Sequence, residues 1–209
     1  MDKYHFEIKG TRPLLMHWDN LRWQDEQRKR ATKALRGAAG DDRSTLGMWQ
    51  SFIYAVAHKG GARCVMPGEN VDAALREAGK QLKDGRRSLK AAVLSGVQCS
   101  EEHLAFYAAA PGQSLQPVDL AEKDLWTPYD QGSPHPALTL YLKRVRVNSA
   151  RHVRVRPRFD AWAVEGVLLV ARLSEDHIRQ LFALAGSEIG LGDWRPRFGR
   201  FELTGVEKE

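Results

Sequence analysis

Cysteine is scarce in this sequence, and its scarcity limits what kind of protein the chain can be. The 209 residues include two cysteines, Cys64 and Cys99, which lie far apart. Neither has a second cysteine or a histidine at the spacing of a zinc site, so we expect neither a disulfide framework nor structural zinc. Unpaired cysteines are typical of a reducing compartment, and the simplest expectation is a cytoplasmic protein.

Long apolar runs are also missing. No stretch approaches the roughly 18 consecutive apolar residues that a membrane-spanning helix needs, so we expect no membrane partner. The chain opens on alternating charged and apolar residues from Tyr4 to Lys9. This alternation predicts a strand rather than a signal peptide.

Recognisable catalytic motifs are absent as well. The seven histidines are scattered, and the sequence contains no H-E-x-x-H pair, no G-x-S-x-G elbow and no Walker loop. We therefore expect no cofactor, no metal and no catalytic residue. One alternative stays open, because His17 or His152 could act as the general base of a metal-independent endoribonuclease.

Acidic residues are missing from one sixteen-residue segment, and this absence points towards function. The segment from Lys143 to Arg158 carries a charge of +7, whereas the whole chain carries +6, so the remainder carries −1. A solubilising surface usually mixes both signs of charge. The sequence therefore predicts a localised basic patch, as found in proteins that bind nucleic-acid backbones.

Length and composition are those of an ordinary globular protein. Hydrophobic residues make up 43% and charged residues 28% of the chain, which predicts one domain over residues 1–209. The polar stretch 20–36 and an apolar stripe continuing to about His58 predict a helical insertion over residues 17–62. Residues 108–136 are rich in Pro, Gly, Asp and Ser, which predicts a loop insertion.

The remaining segments predict an α+β fold. A first strand is followed by a helix opening at Pro67, two strands over 138–147 and 152–173, a helix capped by Ser174, and a last strand over 198–206. The order β-α-β-β-α-β, with insertions, is that of a ferredoxin-like or RRM-like antiparallel sheet. In this arrangement the two central strands form a hairpin, and the second is bent at Pro157.

The basic segment follows a period of two along this hairpin. His152, Arg154, Arg156 and Arg158 share one parity, and Val153, Val155 and Phe159 share the other. Alternate residues of a strand point to opposite faces. We therefore predict that the valines are buried and that the arginines line one solvated face, about 7 Å apart, close to the spacing of phosphates on a single strand.

A glycine-rich segment from Ile189 to Phe201 forms the second candidate site. Its glycines allow close approach of the backbone, its aromatic residues could stack on bases or fill the core, and its arginines could pair with phosphates. The helix start at Pro67 is a weaker candidate, either an anion site or only a helix start. The predicted nucleic-acid-binding residues are Arg144, Arg146, Arg151, Arg154, Arg156, Arg158, Gly190, Gly192, Trp194, Arg195, Arg197 and Arg200.

Three short motifs together resemble the repeat-associated RNA-binding (RAMP) superfamily, which includes backbone subunits of CRISPR effector complexes. They are Gly10-Thr11-Arg12-Pro13-Leu14-Leu15, Met66-Pro67-Gly68, and the segment from Gly190 to Phe201. The last also resembles the "GxGDWRPxxGRF" ending of some phage and mobile-element proteins. The resemblance implies an RRM-like core, side-by-side assembly on a guide strand, and a binding role for Arg154, Arg156 and the glycine-rich segment.

These observations lead to one main hypothesis. The chain would be a non-catalytic subunit that binds single-stranded RNA or DNA, in a CRISPR-type ribonucleoprotein or a phage nucleoprotein, and that associates with itself or other subunits along the strand. Two alternatives stay open. One is the endoribonuclease described above, and the other is a phage assembly or adaptor protein whose basic patch binds an acidic partner.

Overall fold

The computed structural model describes residues 1–18, 46–125, 133–147 and 150–209. A 3-10 helix spans Leu46–Phe52 and a π-helical turn spans Ala185–Ile189. The strands are β1 (Asp2–Gly10), β2 (Leu14–Leu15), β3 (Ala55–His58), β4 (Gly61–Pro67), β5 (Lys83–Asp84), β6 (Arg87–Ser88), β7 (Val97–Cys99), β8 (His103–Ala109), β9 (Gln116–Pro117), β10 (Asp119–Ala121), β11 (Leu138–Val147), β12 (Ala150–Phe159), β13 (Ala161–Val170) and β14 (Phe201–Lys208). The helices are α1 (Gly68–Gln81), α2 (Lys90–Gly96), α3 (Glu122–Leu125) and α4 (Glu175–Leu184).

The protein has an α+β fold built on a mostly antiparallel sheet. The main sheet runs in the order β10-β4-β8-β13-β1-β14, and every neighbouring pair is antiparallel. Four of its strands follow the chain order β1, α1, β8, β13, α4, β14, and they lie side by side as second, third, first and fourth. The first and last strands therefore meet in the sheet, with a bulge between Glu7 and Ile8.

One face of this sheet is covered by helices. Tyr4, Phe6 and Ile8 alternate with polar residues along β1 and are buried, as their spacing predicts. Phe6 packs against Phe182 of α4, with ring centroids 5.0 Å apart. Both α1 and α4 pack into this core and contact each other. The helices thus leave the opposite face of β1, β8, β13 and β14 uncovered by either of them.

Strands β11 and β12 form a hairpin that does not join the main sheet, and we call it the arm. Among the described residues, its one pairing with another element is between β12 and the short β2, at Arg158 and Phe159. The prediction that this hairpin supplies the two central strands, bent at Pro157, is wrong. The break lies at Asp160, after which β13 enters the main sheet and pairs with β8. Strand β8 therefore takes the place that the sequence had suggested for β11.

Two further sequence predictions differ from the structure. The helix expected up to His58 is the 3-10 helix, followed by β3, which pairs with β4 around Gly60. The described part of the segment 108–136 contains β9, β10 and α3, and β10 extends the main sheet at β4. The polar stretch 20–36 lies outside the described residues, as do residues 126–132. In the described ranges, no helix has the length and apolar character needed to cross a bilayer.

Candidate nucleic-acid interface

The glycine-rich segment packs directly on the base of the arm. The amide of Asp193 donates a hydrogen bond to the carbonyl of Leu15 in β2 (2.8 Å), and the amide of Gly199 donates to the carbonyl of Pro13 (2.8 Å). Gly192 has a φ of +73°, and a Cβ there would overlap the Leu15 carbonyl. Glycine at this position is therefore required by close packing of the segment on the protein's own backbone.

Arg156 is the main correction to the predicted site. Its side chain is 1% exposed, although the period-two pattern predicted a solvated position. Its Nε donates to Oδ2 of Asp193 (2.7 Å), its Nη1 donates to the carbonyl of Val155 (2.9 Å), and its guanidinium lies 4.7 Å from the ring centroid of Phe52. The strand passes beneath the glycine-rich segment here, so Arg156 fixes that segment to the arm instead of facing solvent.

His17 shares the carboxylate that Arg156 uses. Its Nδ1 lies 3.7 Å from Oδ2 of Asp193, and its ring lies 5.3 Å from that of Phe52. The side chain is 36% exposed, so one part of the ring reaches the surface. His17 is thus held beside a buried arginine and a carboxylate at the foot of the arm. The side chain of His152 lies outside the described residues.

The pairing register divides the basic residues of the arm between two faces. Tyr141 lies opposite Arg156, Lys143 opposite Arg154, and Thr139 opposite Arg158, so these residues share the face on which Asp193 packs. We call this the inner face. The other side of the arm is the outer face, and it carries Leu138, Leu140, Leu142, Arg144, Arg146, Val153, Val155, Pro157 and Phe159. The predicted set of binding arginines therefore does not lie on one surface.

The apolar residues on the outer face of the arm are buried only where the arm lies close to the body of the protein. Val155 and Phe159 are buried as predicted, whereas Val153 is 45% exposed. Leu142, beside it on the outer face, is 53% exposed. The arm therefore extends beyond the core from about Leu142 and Val153. Arg144 and Arg146 are exposed on this outer part, and the side chain of Arg151 lies outside the described residues.

Aromatic residues form a cluster between the inner face and the glycine-rich segment. The ring of Tyr141 lies 5.3 Å from that of Trp194 and 5.0 Å from that of Phe198. The Nζ of Lys143 lies 4.4 Å from the centroid of the Trp194 ring, within cation–π range. Trp194 is half-buried and has a φ of +52°. This tryptophan is therefore neither a core residue nor a fully exposed one.

The arginines of the glycine-rich segment lie around this cluster. Arg195 and Arg197 are exposed, and the guanidinium of Arg197 lies 5.9 Å from the ring centroid of Phe198. Arg200 is half-buried, with its Nε donating to the carbonyl of Pro196 (2.9 Å). Arg158, at the foot of the arm, pairs through its Nε with Asp160 (2.7 Å). Lys143 and Arg197 thus lie against rings of the aromatic cluster, and Arg154 lies opposite Lys143. Arg195 directly follows Trp194 and donates through its Nη1 to the carbonyl of Gly190 (3.5 Å).

Two residues that matter here were not predicted as site residues. Tyr141 has the same parity as Lys143 along β11, and that shared parity is a signal from which it could have been found. Asp193 is 37 positions from Arg156 in sequence, and no local pattern connects the two. Their ion pair became visible only when the fold brought the segment onto the arm.

Other candidate chemistry lies outside this region. The start of α1 offers little to an anion, because the amide of Gly68 donates to the carbonyl of Glu102 (2.9 Å) and Glu69, Asp72 and Glu101 line the same cavity of about 310 Å³. Cys64 is buried, which raises the pKa of its thiol above its ordinary value. Within residues 1–18, 46–125, 133–147 and 150–209, no three His, Cys, Asp or Glu side chains come together as a metal site.

Comparison with known proteins gives no family assignment. No protein family matches the sequence, and no curated protein is similar to it.

Proposed function

We propose that this protein is a non-catalytic subunit that binds single-stranded RNA or DNA along the inner face of its arm. The observation that carries the proposal is the aromatic cluster of Tyr141, Trp194 and Phe198, with Lys143 lying over the Trp194 ring. Proteins that bind single strands combine a cationic groove for the backbone with aromatic rings on which bases stack. Both elements meet where the arm joins the glycine-rich segment.

Each part of the interface has a distinct role in this proposal. Lys143, Arg154, Arg195 and Arg197 pair with phosphates, because a nucleic-acid backbone presents one negative charge per nucleotide. An exposed part of Trp194 stacks on a base, an interaction worth about 1–3 kcal/mol per base. Arg156 contacts no phosphate, because it is buried against Asp193. It positions the glycine-rich segment instead.

The proposed fold type supports the same function. We infer that β1, α1, β8, β13, α4 and β14 are a ferredoxin-like, RRM-like core, because their chain order and spatial order follow the split β-α-β arrangement. The resemblance to RAMP proteins and to phage proteins belongs to this proposal, which places the chain in a CRISPR-type ribonucleoprotein or a phage nucleoprotein. In contrast to a typical RRM, the proposed contact is the arm and not the open face of the sheet.

Binding of labelled oligonucleotides tests the proposal. We expect the protein to bind single-stranded RNA or DNA in fluorescence anisotropy titrations, and the double replacement Lys143→Ala/Arg154→Ala to weaken binding at least about tenfold. The matched control is Arg86→Ala/Arg87→Ala, which removes two exposed cations at the β5–β6 turn and leaves affinity unchanged. Absence of binding, or equal losses in both variants, contradicts the proposal. A discrete oligomer that ignores oligonucleotide favours the adaptor hypothesis.

A second candidate function is metal-independent RNA cleavage, and the contact between His17 and Asp193 favours it. In this reaction His17 removes the proton of a ribose 2′-hydroxyl, the 2′-oxygen attacks the adjacent phosphorus, and the 5′-oxygen leaves with a proton supplied by water. Labelled RNA incubated with wild-type protein and with His17→Ala distinguishes the two functions. Cleavage in the presence of EDTA that disappears in His17→Ala identifies an enzyme, whereas binding of intact RNA by both proteins rejects the enzyme.

A further inference from the structure

The face of the main sheet that the helices leave uncovered is acidic at its centre. Glu7 of β1 lies directly opposite Glu165 of β13, and Glu207 of β14 lies opposite His5 of β1. Like charges in direct cross-strand register destabilise a sheet. Within the described part of the chain, neither Glu7 nor Glu165 has an ion pair. We call Glu7, Glu165 and Glu207 the acidic sheet face.

Among the described residues, the basic side chains on the same face do not pair with Glu7 or Glu165. Lys3 and His5 both contact the carboxylate of Glu209, at 3.1 Å and 3.0 Å. Lys9 lies opposite Glu202 at the other end of β1. Glu165 accepts a hydrogen bond from the hydroxyl of Tyr107 (3.0 Å), which is a neutral donor. The two central carboxylates therefore have no cationic partner among the described residues and can accept one from another molecule.

The acidic sheet face is also concave. A groove of about 460 Å³ runs across it, and its floor carries the small or apolar residues Ala105, Val167 and Gly205 between the carboxylates. A Cβ on Gly205 would meet only the side chain of Glu7 at ordinary contact distance, so the floor is open there. A partner that fits this groove needs cations at its margins and apolar side chains between them.

The outer face of the arm has this composition. Arg144 and Arg146 are exposed, and Leu142 and Val153 are 53% and 45% exposed on the same side of the hairpin. From Leu142 to Val147 the arm extends for about 17 Å at the rise of an antiparallel strand. It is thus a projecting element with alternating basic and apolar side chains. Its charge is opposite in sign to that of the acidic sheet face.

We propose that the outer face of the arm of one copy of this chain docks on the acidic sheet face of a second copy. Arg144 and Arg146 pair with Glu7 and Glu165, and Leu142 and Val153 lie over Ala105 and Val167. The two docked surfaces differ, so each copy offers one of each, and the contact repeats as an open chain or a closed ring. The contact involves protein side chains alone, so it does not require bound nucleic acid. It leaves the inner face of the arm, which is the proposed nucleic-acid interface, uncovered.

A charge-exchange experiment tests the docking. One variant carries Glu7→Lys/Glu165→Lys, and the other carries Arg144→Glu/Arg146→Glu. Each variant alone places like charges on both surfaces, so we expect self-association in sedimentation velocity to weaken at least about 100-fold. An equimolar mixture restores assembly, because every surface then finds an opposite charge on the other variant. The control Arg86→Glu/Arg87→Glu changes the net charge as much as the arm variant and leaves assembly unchanged.

Each result of the sedimentation experiment either supports or overturns the docking. Wild-type assembly, free of nucleic acid, that is present at about 0.1 M salt and lost at about 1 M salt supports the docking, as does recovery in the mixture. A wild-type protein that stays monomeric, or variants that assemble alone like the wild type, would overturn it. Oligonucleotide binding by the variant Glu7→Lys/Glu165→Lys is measured in parallel. In the wild-type protein, oligonucleotide binding without assembly rejects the docking alone, and assembly without oligonucleotide binding rejects the proposed function alone.

Discussion

Asp193 connects three parts of the protein at the foot of the arm. Its carboxylate accepts from Arg156, its amide donates to Leu15, and its Oδ2 lies 3.7 Å from His17. Arg156 is 1% exposed and Asp193 is 20% exposed, so the ion pair is largely removed from solvent. A buried charge that loses its partner is costly, whereas removing both partners costs much less.

This contact gives the first prediction. Replacement Asp193→Ala lowers the free energy of unfolding by about 3 kcal/mol in urea titrations, because Arg156 is left charged and buried. The double variant Arg156→Met/Asp193→Ala costs less than the sum of the single losses. Asp84→Ala, at an exposed turn, changes stability by less than about 0.5 kcal/mol. Equal effects of Asp193→Ala and Asp84→Ala would show that the ion pair contributes nothing.

His135 is one group from which we expect a pH dependence of stability. Burial lowers the pKa of His135 below its ordinary value, and its Nδ1 accepts a hydrogen bond from the amide of Ala137 (3.2 Å). The folded protein therefore holds this proton less tightly than the unfolded chain, whose histidine has a pKa of about 6.5. Stability is complete above pH about 6.5 and declines as the pH falls through that value towards the lower folded pKa.

The second prediction follows from this expected loss of stability at lower pH. We expect the urea midpoint of the wild-type protein to fall between pH 7 and pH 5.5, a window above the titration of most carboxylates. In His135→Asn, which keeps a hydrogen-bond acceptor but does not titrate, the midpoint changes less over the same window. Parallel pH dependence in the two proteins would assign the effect to other groups.

At the scale of elements, the sequence predicted the ends of the chain better than its middle. β1, α1 and α4 form where expected, and the Ser174 side chain accepts from the amide of His177 as a cap. The α-helical part of the last helix ends at Leu184. The chain continues through a π-helical turn to Gly190, which has a φ of +80°. Local patterns that carry their own cap or alternation were thus sufficient for these elements.

Other elements depend on contacts that local patterns do not contain. β8 alternates weakly in sequence, because Ala105 and Tyr107 on its outer side are as small or apolar as its buried residues. The alternation along the arm assigns its residues to two faces, as the structure also does. It does not show at which residue the arm leaves the core of the protein. The exposure of Val153 and the burial of Arg156 follow from the position of the glycine-rich segment, a long-range contact.

The arm is the element on which the third prediction rests. Its outer part pairs only with itself and with no other strand of the described chain. Replacing residues 144–153 by Asn-Gly joins Lys143 to Arg154 through a two-residue turn that suits a hairpin. We expect the shortened protein to keep its cooperative thermal unfolding, because the base of the arm remains in the core. It also loses self-association in sedimentation, and retention of wild-type assembly would contradict the docking of the outer face.

At the scale of the whole molecule, charge is separated between two surfaces. The arm and the glycine-rich segment concentrate cations around Trp194, whereas the acidic sheet face concentrates carboxylates around Glu7 and Glu165. A phosphate backbone is attracted to the first surface and repelled by the second. The proposed assembly pairs the same acidic sheet face with Arg144 and Arg146 on the outer face of the arm, so the cations around Trp194 take no part in it.

The most direct test of the nucleic-acid interface is the salt dependence of the binding constant for a single-stranded oligonucleotide. Release of counterions gives a slope of about −0.7 per neutralised phosphate in a plot of the logarithm of the binding constant against that of salt concentration. With Lys143, Arg154, Arg195 and Arg197 each pairing one phosphate, we predict a slope of about −3. Lys143→Gln/Arg154→Gln reduces it to about −1.5 by the same rule. A slope near zero, or the same slope in wild type and variant, would contradict binding along the inner face.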